Sequence, residues 1–131
     1  MSDGRRRIFS GSSFEKIAGY ARAVVDGDWV HVSGCTGMDY ASGTVSGDVA
    51  EQTHQVFRNI NWALAEAGSS LDDVVRIRVY LDSREDFEIV APVLGDYIRH
   101  ISPANTTVVA PLVDARLKVE IEVTAHKAIQ S

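Results

Sequence analysis

The segment Lys118 to Thr124 constrains the fold of this chain more than any other stretch. It reads Lys-Val-Glu-Ile-Glu-Val-Thr, a strict period of two. Side chains two apart on a strand share a face, so Val119, Ile121 and Val123 point one way and Glu120 and Glu122 the other. Such a strand needs a core on one side and water, or a polar site, on the other. Antiparallel sheets often keep one wetted face, which alone accommodates two acids. Upstream, Asn105 to Leu112 has the same strand character. Pro103 to Ala125 therefore reads as two strands joined by a loop.

The remaining patterning alternates strands with helices. Ala21 to Val25 and Trp29 to Ser33 flank Asp26-Gly27, a dipeptide suited to a tight hairpin turn. Within the second strand Val30 and Val32 share one face, opposite Trp29, His31 and Ser33. Gly34 to Gly47 is glycine-rich and loop-like. Val49, Thr53, Val56, Phe57, Ile60, Leu64 and Ala67 then fall on one helical stripe, with Asp48 and Glu51 as a capping pair and Gly68 as the stop. Val74 to Leu81 reads as a strand with Val75, Ile77, Val79 and Leu81 inward. Phe87 to Ile101 reads as a second helix, with Phe87, Val90, Leu94, Tyr97 or Ile98, and Ile101 inward. Pro92 removes a backbone donor and is expected in a first turn after a break, not mid-helix.

The predicted order is β-β-β-α-β-α-β-β, a two-layer α+β domain with two helices on one face of a mixed sheet. The chain of 131 residues suits one domain, residues 1–131, with residues 1–13 loosely held apart from a short strand at Arg7 to Phe9. Two helices leave the other sheet face uncovered. Tyr80, Thr107 and Val109 are placed along it, too apolar for a wetted surface, and self-association follows.

Composition narrows the function classes. Net charge is −5, which argues against nucleic-acid partners, whose phosphates need a basic footprint. The run Arg5 to Arg7 reads as a solvated terminus. One cysteine, Cys35, excludes an intramolecular disulfide and fits a small buried hydrophobe. His31, His54, His100 and His126 are too scattered for a metal site, so no metal is expected. Neither a membrane span nor the apolar core of a signal peptide is present, and the expected location is the cytoplasm. The glycines of 34–47 lack the lysine and spacing of a P-loop.

The C-terminal segment also resembles the signature of the Rid family, the reactive intermediate deaminases, also described as YjgF-like or endoribonuclease L-PSP-like proteins. That signature runs P-A-R-x-x-V and, about nine residues on, K-[VI]-E-I-E-x-x-A. Pro103, Ala104, Val108, Lys118, Val119, Glu120, Ile121, Glu122 and Ala125 match it. Further pieces match in order: Tyr20 after a glycine, Val32-Ser33-Gly34, Glu66-Ala67-Gly68, and Leu71-Asp72-Asp73-Val74-Val75. Asn105 departs from it, where deaminating members have arginine. The resemblance implies a chorismate-mutase-like fold. It also implies a homotrimer with a central barrel and small-molecule clefts between subunits.

The resemblance further implies hydrolysis of an imine or enamine, such as 2-aminoacrylate, to a carbonyl compound and ammonia without a cofactor. Glu120 takes the place of the carboxylate that positions water. Tyr20, Ser33, Gly34, Asn105 and Thr107 take substrate-binding positions. Asn105 is neutral and lacks the guanidinium fork that holds an α-carboxylate, so the usual 2-imino acids are expected to be poor substrates. Arg22, Arg78 and Arg116 are alternative cations, each read as a solvated surface arginine. Two other readings stay open. One is a non-enzymatic trimeric binder of a metabolite or protein. The other is a ribonuclease, against which the acidic balance counts.

Overall fold

A computed structural model describes residues 3–127. Its elements are β1 (Arg6–Ile8), α1 (Ser13–Ala18), β2 (Ala23–Asp26), β3 (Trp29–Thr36), β4 (Met38–Asp39), β5 (Thr44–Val45), α2 (Val49–Glu66), β6 (Val74–Leu81), α3 (Phe87–Ile98), β7 (Ala104–Val109) and β8 (Val119–His126). The main sheet is six-stranded, in the order β1-β2-β3-β8-β6-β7, with β4 and β5 forming a separate ribbon. The β6–β7 pair is parallel and the other pairs are antiparallel. The architecture is the expected two-layer α+β fold.

Strand β8 lies inside the sheet, between β3 and β6. Val119, Ile121, Val123 and Ala125 are buried, and the residues between them are half-buried on the opposite side. The buried set joins Val30, Val32, Ile77, Val79 and Leu81 from neighbouring strands, and the apolar stripe of α2 packs on it. Every residue of that expected stripe is buried. Asp48 accepts a hydrogen bond from the Glu51 N–H at 3.2 Å. At the other end Gly68 adopts φ +76°, its N–H bonds the Ala65 carbonyl, and the Ser69 N–H bonds that of Leu64. This is the Schellman ending, which needs a left-handed residue where glycine stands.

Several expectations need correction. The hairpin between β2 and β3 turns on Gly27-Asp28, because Asp26 pairs with Trp29 and Gly27 carries the positive φ. In β6 the register against β8 shifts between Val74 and Arg76. That bulge turns Val75 outward, 46% exposed, and buries Val74 in its stead. Pro92 sits inside α3, which begins directly after the 3₁₀ turn Arg84–Asp86. Pro92 is exposed, as is Glu88, whose carbonyl loses its intrahelical donor, so water can serve that group. Phe87 is exposed, while Val90, Leu94 and Ile98 form the inner face. The strand expected at Asn105 to Leu112 is Ala104–Val109.

Two corrections bear on the site. The short strand expected at Arg7 to Phe9 is β1, Arg6–Ile8, paired with β2, and an unexpected short helix, α1, follows it; residues 1 and 2 lie outside the described residues. Parallel register pairs Thr107 with Val79 and Val109 with Leu81, so Thr107 and Val109 sit on the helix side of the sheet. Only Tyr80 of the expected set lies on the open face, alongside Arg78, Thr106 and Val108.

One buried polar residue, Gln52, ties the layers together. It lies on α2 with no exposure. Its Nε2 donates to the carbonyls of Ser46 (2.7 Å) and Arg116 (2.9 Å), and its Oε1 accepts from the Lys118 N–H (2.8 Å). Gly37 packs so closely that a Cβ there would lie 2.6 Å from the Gln52 Cβ. Gln52→Leu would leave three partly buried backbone groups without this partner. An unmade buried hydrogen bond costs about 1–3 kcal/mol, and water reaches part of the freed groups here, so chemical denaturation should show a loss of roughly 1–3 kcal/mol in all.

Candidate functional site

A cavity of about 130 Å³ opens on the side of the sheet that carries Glu120. Its floor is Glu120, Gly34 and Thr36, its walls include Ser12, Phe14, Tyr20, Tyr40, Val113 and Asp114, and Arg22 is the one cation lining it among the described residues. Local sequence explains the walls. Ser12 caps α1 by its hydroxyl accepting from the Phe14 N–H at 3.3 Å, which holds the Ser12 side chain and places Phe14 in the first turn at the rim. Gly19 then ends α1 in the left-handed region at φ +78°, and Tyr20 follows.

The floor is made by a β-bulge. Between the pairs Val32–Val123 and Cys35–Ile121, the two residues Ser33 and Gly34 face the single residue Glu122. The extra residue brings the Gly34 backbone against Glu120. A Cβ at position 34 would lie 2.1 Å from Glu120 Oε2, so only glycine leaves the carboxylate in its seat. Behind the bulge Arg22 Nη1 donates to the Gly34 carbonyl at 2.6 Å, and Arg22 Nε donates to Glu15 Oε2 at 3.2 Å. Both side chains of this ion pair are 2% exposed. Glu15 also accepts from the Ser10 N–H at 2.9 Å and from the Ser10 hydroxyl, so its buried charge is fully served.

The two acids of β8 differ. Glu122 accepts a hydrogen bond from the Tyr80 hydroxyl at 2.5 Å and faces Arg78 at 3.7 Å. The Glu120 side chain, half-buried, makes no hydrogen bond or ion pair among the described residues. Desolvation pushes its pKa upward, opposed by the charge of Arg22 and reinforced by that of Glu122. Cys35 is buried beside Arg22, and burial raises its thiol to about 11, so it stays a neutral hydrophobe near neutral pH.

The cavity thus brings together Tyr20, Gly34 and Glu120 of the predicted set. Ser33 is turned away: its hydroxyl donates to the Ala21 carbonyl at 2.7 Å, and it lines the neighbouring depression with the other side of Tyr20. Asn105 and Thr107 lie on the edge strand β7, on the helix side, with the Thr107 hydroxyl donating to Asn105 Oδ1 at 2.9 Å. Within one chain they do not meet Glu120. Arg22 is a correction, since it is buried at the site and not a solvated surface arginine. Arg78 is half-exposed on the open face, and Arg116 bonds Asp114 at 2.9 Å.

The family profile described as endoribonuclease L-PSP matches residues 10–127. The chain belongs to this family, known also as YjgF, RutC or Rid. Among its relatives, a RutC family protein of Pyrococcus abyssi is 35% identical over 92% of this chain and 95% of its own length. The human 2-iminobutanoate/2-iminopropanoate deaminase is 32% identical over 95% of this chain and 93% of its own. A solved structure of a YjgF/YER057c/UK114 family member from Mycobacterium tuberculosis superposes with a TM-score of 0.86 at 36% identity, covering 94% of this chain and 99% of that one.

Sequence reasoning missed the Glu15–Arg22 pair of this Rid protein. Its one signal was Arg22 at spacing two from Tyr20, directly before a strand of small apolar residues. A carboxyl group with a raised folded-state pKa favours the fold while protonated, and that contribution is lost as pH rises through the folded pKa. Glu120→Gln removes this penalty. The variant should therefore melt at a higher temperature than the parent at pH 7, with the difference vanishing below the ordinary glutamate value of 4.5. Thermal melts across pH check this.

Proposed function

We propose that this Rid protein hydrolyses an imine or enamine to a carbonyl compound and ammonia, in a cleft completed by a second copy of the chain. The carrying observation is Glu120: a half-buried carboxylate of raised pKa, without a hydrogen-bond partner among the described residues, facing a cavity large enough for a few heavy atoms and water. Such a group is poised to bind water and take its proton. Water adds to the C=N carbon and Glu120 accepts the proton. Glu120 returns that proton to the nitrogen; the hydroxyl proton of the adduct then passes to the nitrogen as the C–N bond breaks and the C=O bond forms, which releases ammonia, and an enamine enters this sequence through its imine tautomer. Tyr20 and the Gly34 backbone shape the pocket. The scheme uses only water and the protein's own groups. The human relative, a 2-iminobutanoate/2-iminopropanoate deaminase, supports the reaction class.

The position of Asn105 and Thr107 supports an intersubunit cleft, since they face away from Glu120 within a chain and reach such a site only from another copy. The open face favours self-association too. It presents Val108, Tyr80 and Trp29, with His126 edge-on to the indole at 4.5 Å. A trimer is the expected assembly, and sedimentation equilibrium should return three times the chain mass; a monomer would exclude a shared cleft. A neutral Asn105 in that cleft disfavours the usual 2-imino acids and favours imines without an α-carboxylate. The ribonuclease reading finds little support: Arg7 is held by Asp3 at 2.7 Å, and Arg5 pairs with Asp3 and Asp26.

The decisive assay follows imine decay, using 2-aminoacrylate generated by a pyridoxal-phosphate dehydratase and, in parallel, an imine lacking a carboxylate. The parent should accelerate the second substrate more than the first. Glu120→Ala should lose the acceleration by on the order of a hundredfold or more while keeping its assembly. Full activity in that variant would overturn the assignment. No acceleration of either substrate by the assembled parent would favour a binding protein.

A further inference from the structure

We infer that Arg22 is the positioning residue of the site: its guanidinium, anchored by Glu15, holds the Gly34 carbonyl and thereby the bulge on which Glu120 is seated. This rests on the reading of Glu120 as the water-positioning carboxylate. The geometry forms a chain of contacts. Glu15, itself held by the Ser10 N–H, grips Arg22 from one side. Arg22 Nη1 reaches the carbonyls of Gly34 at 2.6 Å and Ser33 at 3.5 Å, and the Arg22 carbonyl accepts the Ser33 N–H at 2.9 Å. Both bulge residues are therefore held by one residue, through side chain and backbone. Gly34 in turn touches the Glu120 carboxylate. The guanidinium also lies 5.7 Å from the Tyr20 ring centre and 5.3 Å from that of Tyr40, which fixes two walls of the cavity.

A fork is needed for this arrangement. Glu15 and the Gly34 carbonyl are met by different nitrogens of one planar group, which a lysine ammonium, a single donor centre, does not span in the same way. Electrostatics adds a second effect. The groups around Glu120 are Arg22, Glu122, Asp114, Tyr20, Tyr40, Tyr80 and Cys35. Among the described residues Arg22 is the one cation lining the cavity, and its charge pulls the Glu120 pKa down against desolvation. Burial opposes the charge on Arg22, and the ion pair with Glu15 at 3.2 Å, with the bulge carbonyl at 2.6 Å, holds the group charged. Arg22 thus keeps Glu120 closer to the ionised form that can accept a proton from water.

The test is direct titration of the Glu120 carboxyl by carbon NMR, together with the Gly34 amide shift, in the assembled parent and two variants. Glu15→Gln/Arg22→Gln removes both buried charges together and so leaves neither unpaired. Arg22→Lys keeps a charge opposite Glu15 but loses the fork. In the neutral pair the Glu120 midpoint should move upward and the Gly34 amide should shift. In Arg22→Lys the amide should shift while the midpoint stays nearer that of the parent. In the imine assay, kcat should fall on the order of tenfold to a hundredfold in both with KM little changed, since misplacement of a reacting group acts on the chemical step. The acid limb of the rate profile should move to higher pH in the neutral pair. An unchanged midpoint and an unchanged Gly34 amide in either folded variant would overturn the inference. Those NMR readings need no turnover, so an inactive parent with the expected shifts would count against the deaminase reading alone.

Discussion

Burial of alternate residues on β8 is the constraint on which the rest of the molecule depends. The strand lies between β3 and β6, so its backbone groups are paired on both sides. Its odd residues are locked against α2 through the shared core. A one-residue slip would drive Glu120 and Glu122 into the core and expose Val119, Ile121 and Val123. That cost fixes the register, and the register delivers Glu120 to the open side between Thr36 and Tyr80.

Against this rigid strand the site is assembled by irregularity. The bulge at Ser33-Gly34 breaks the regular pairing of β3 and brings a bare backbone against a carboxylate. It persists because Arg22 occupies the space behind it and satisfies its carbonyls. A buried ion pair is weak evidence for stability, since desolvation offsets most of the attraction, and it is better understood here as a device that holds one geometry. The Glu120 carboxylate has no hydrogen-bond partner among the described residues, desolvation raises its pKa, and it stays available to water. Glu122, two residues on, is served by Tyr80 and Arg78 and belongs to the sheet.

Much of the fold was legible beforehand, because periodicity reports which faces are buried. The helical stripe of α2, its Asp48 cap and its Gly68 stop all follow from local rules that tertiary context does not override here. The failures are equally local. Val75 was turned outward by a bulge that no alternation pattern reveals. Pro92 was tolerated inside α3 because its face of the helix is solvated. Thr107 and Val109 changed sides because parallel register with β6, not their own sequence, sets where they point. The short helix α1 escaped notice because six residues carry too little periodicity to read.

The sequence by itself determined the two-layer α+β architecture, the family and the identity of the strand bearing Glu120. Each rests on patterns repeated over many residues or on a motif spanning most of the chain. Only the tertiary structure decided which of two chemically identical acids on one face is unpartnered. It also turned Arg22 from a surface charge into the clamp beneath the site, and it separated Asn105 and Thr107 from Glu120 by a strand and a sheet face. These outcomes depend on a bulge, a buried ion pair and a strand register. Each is settled by contacts between segments far apart in the chain, and sequence spacing alone does not encode them.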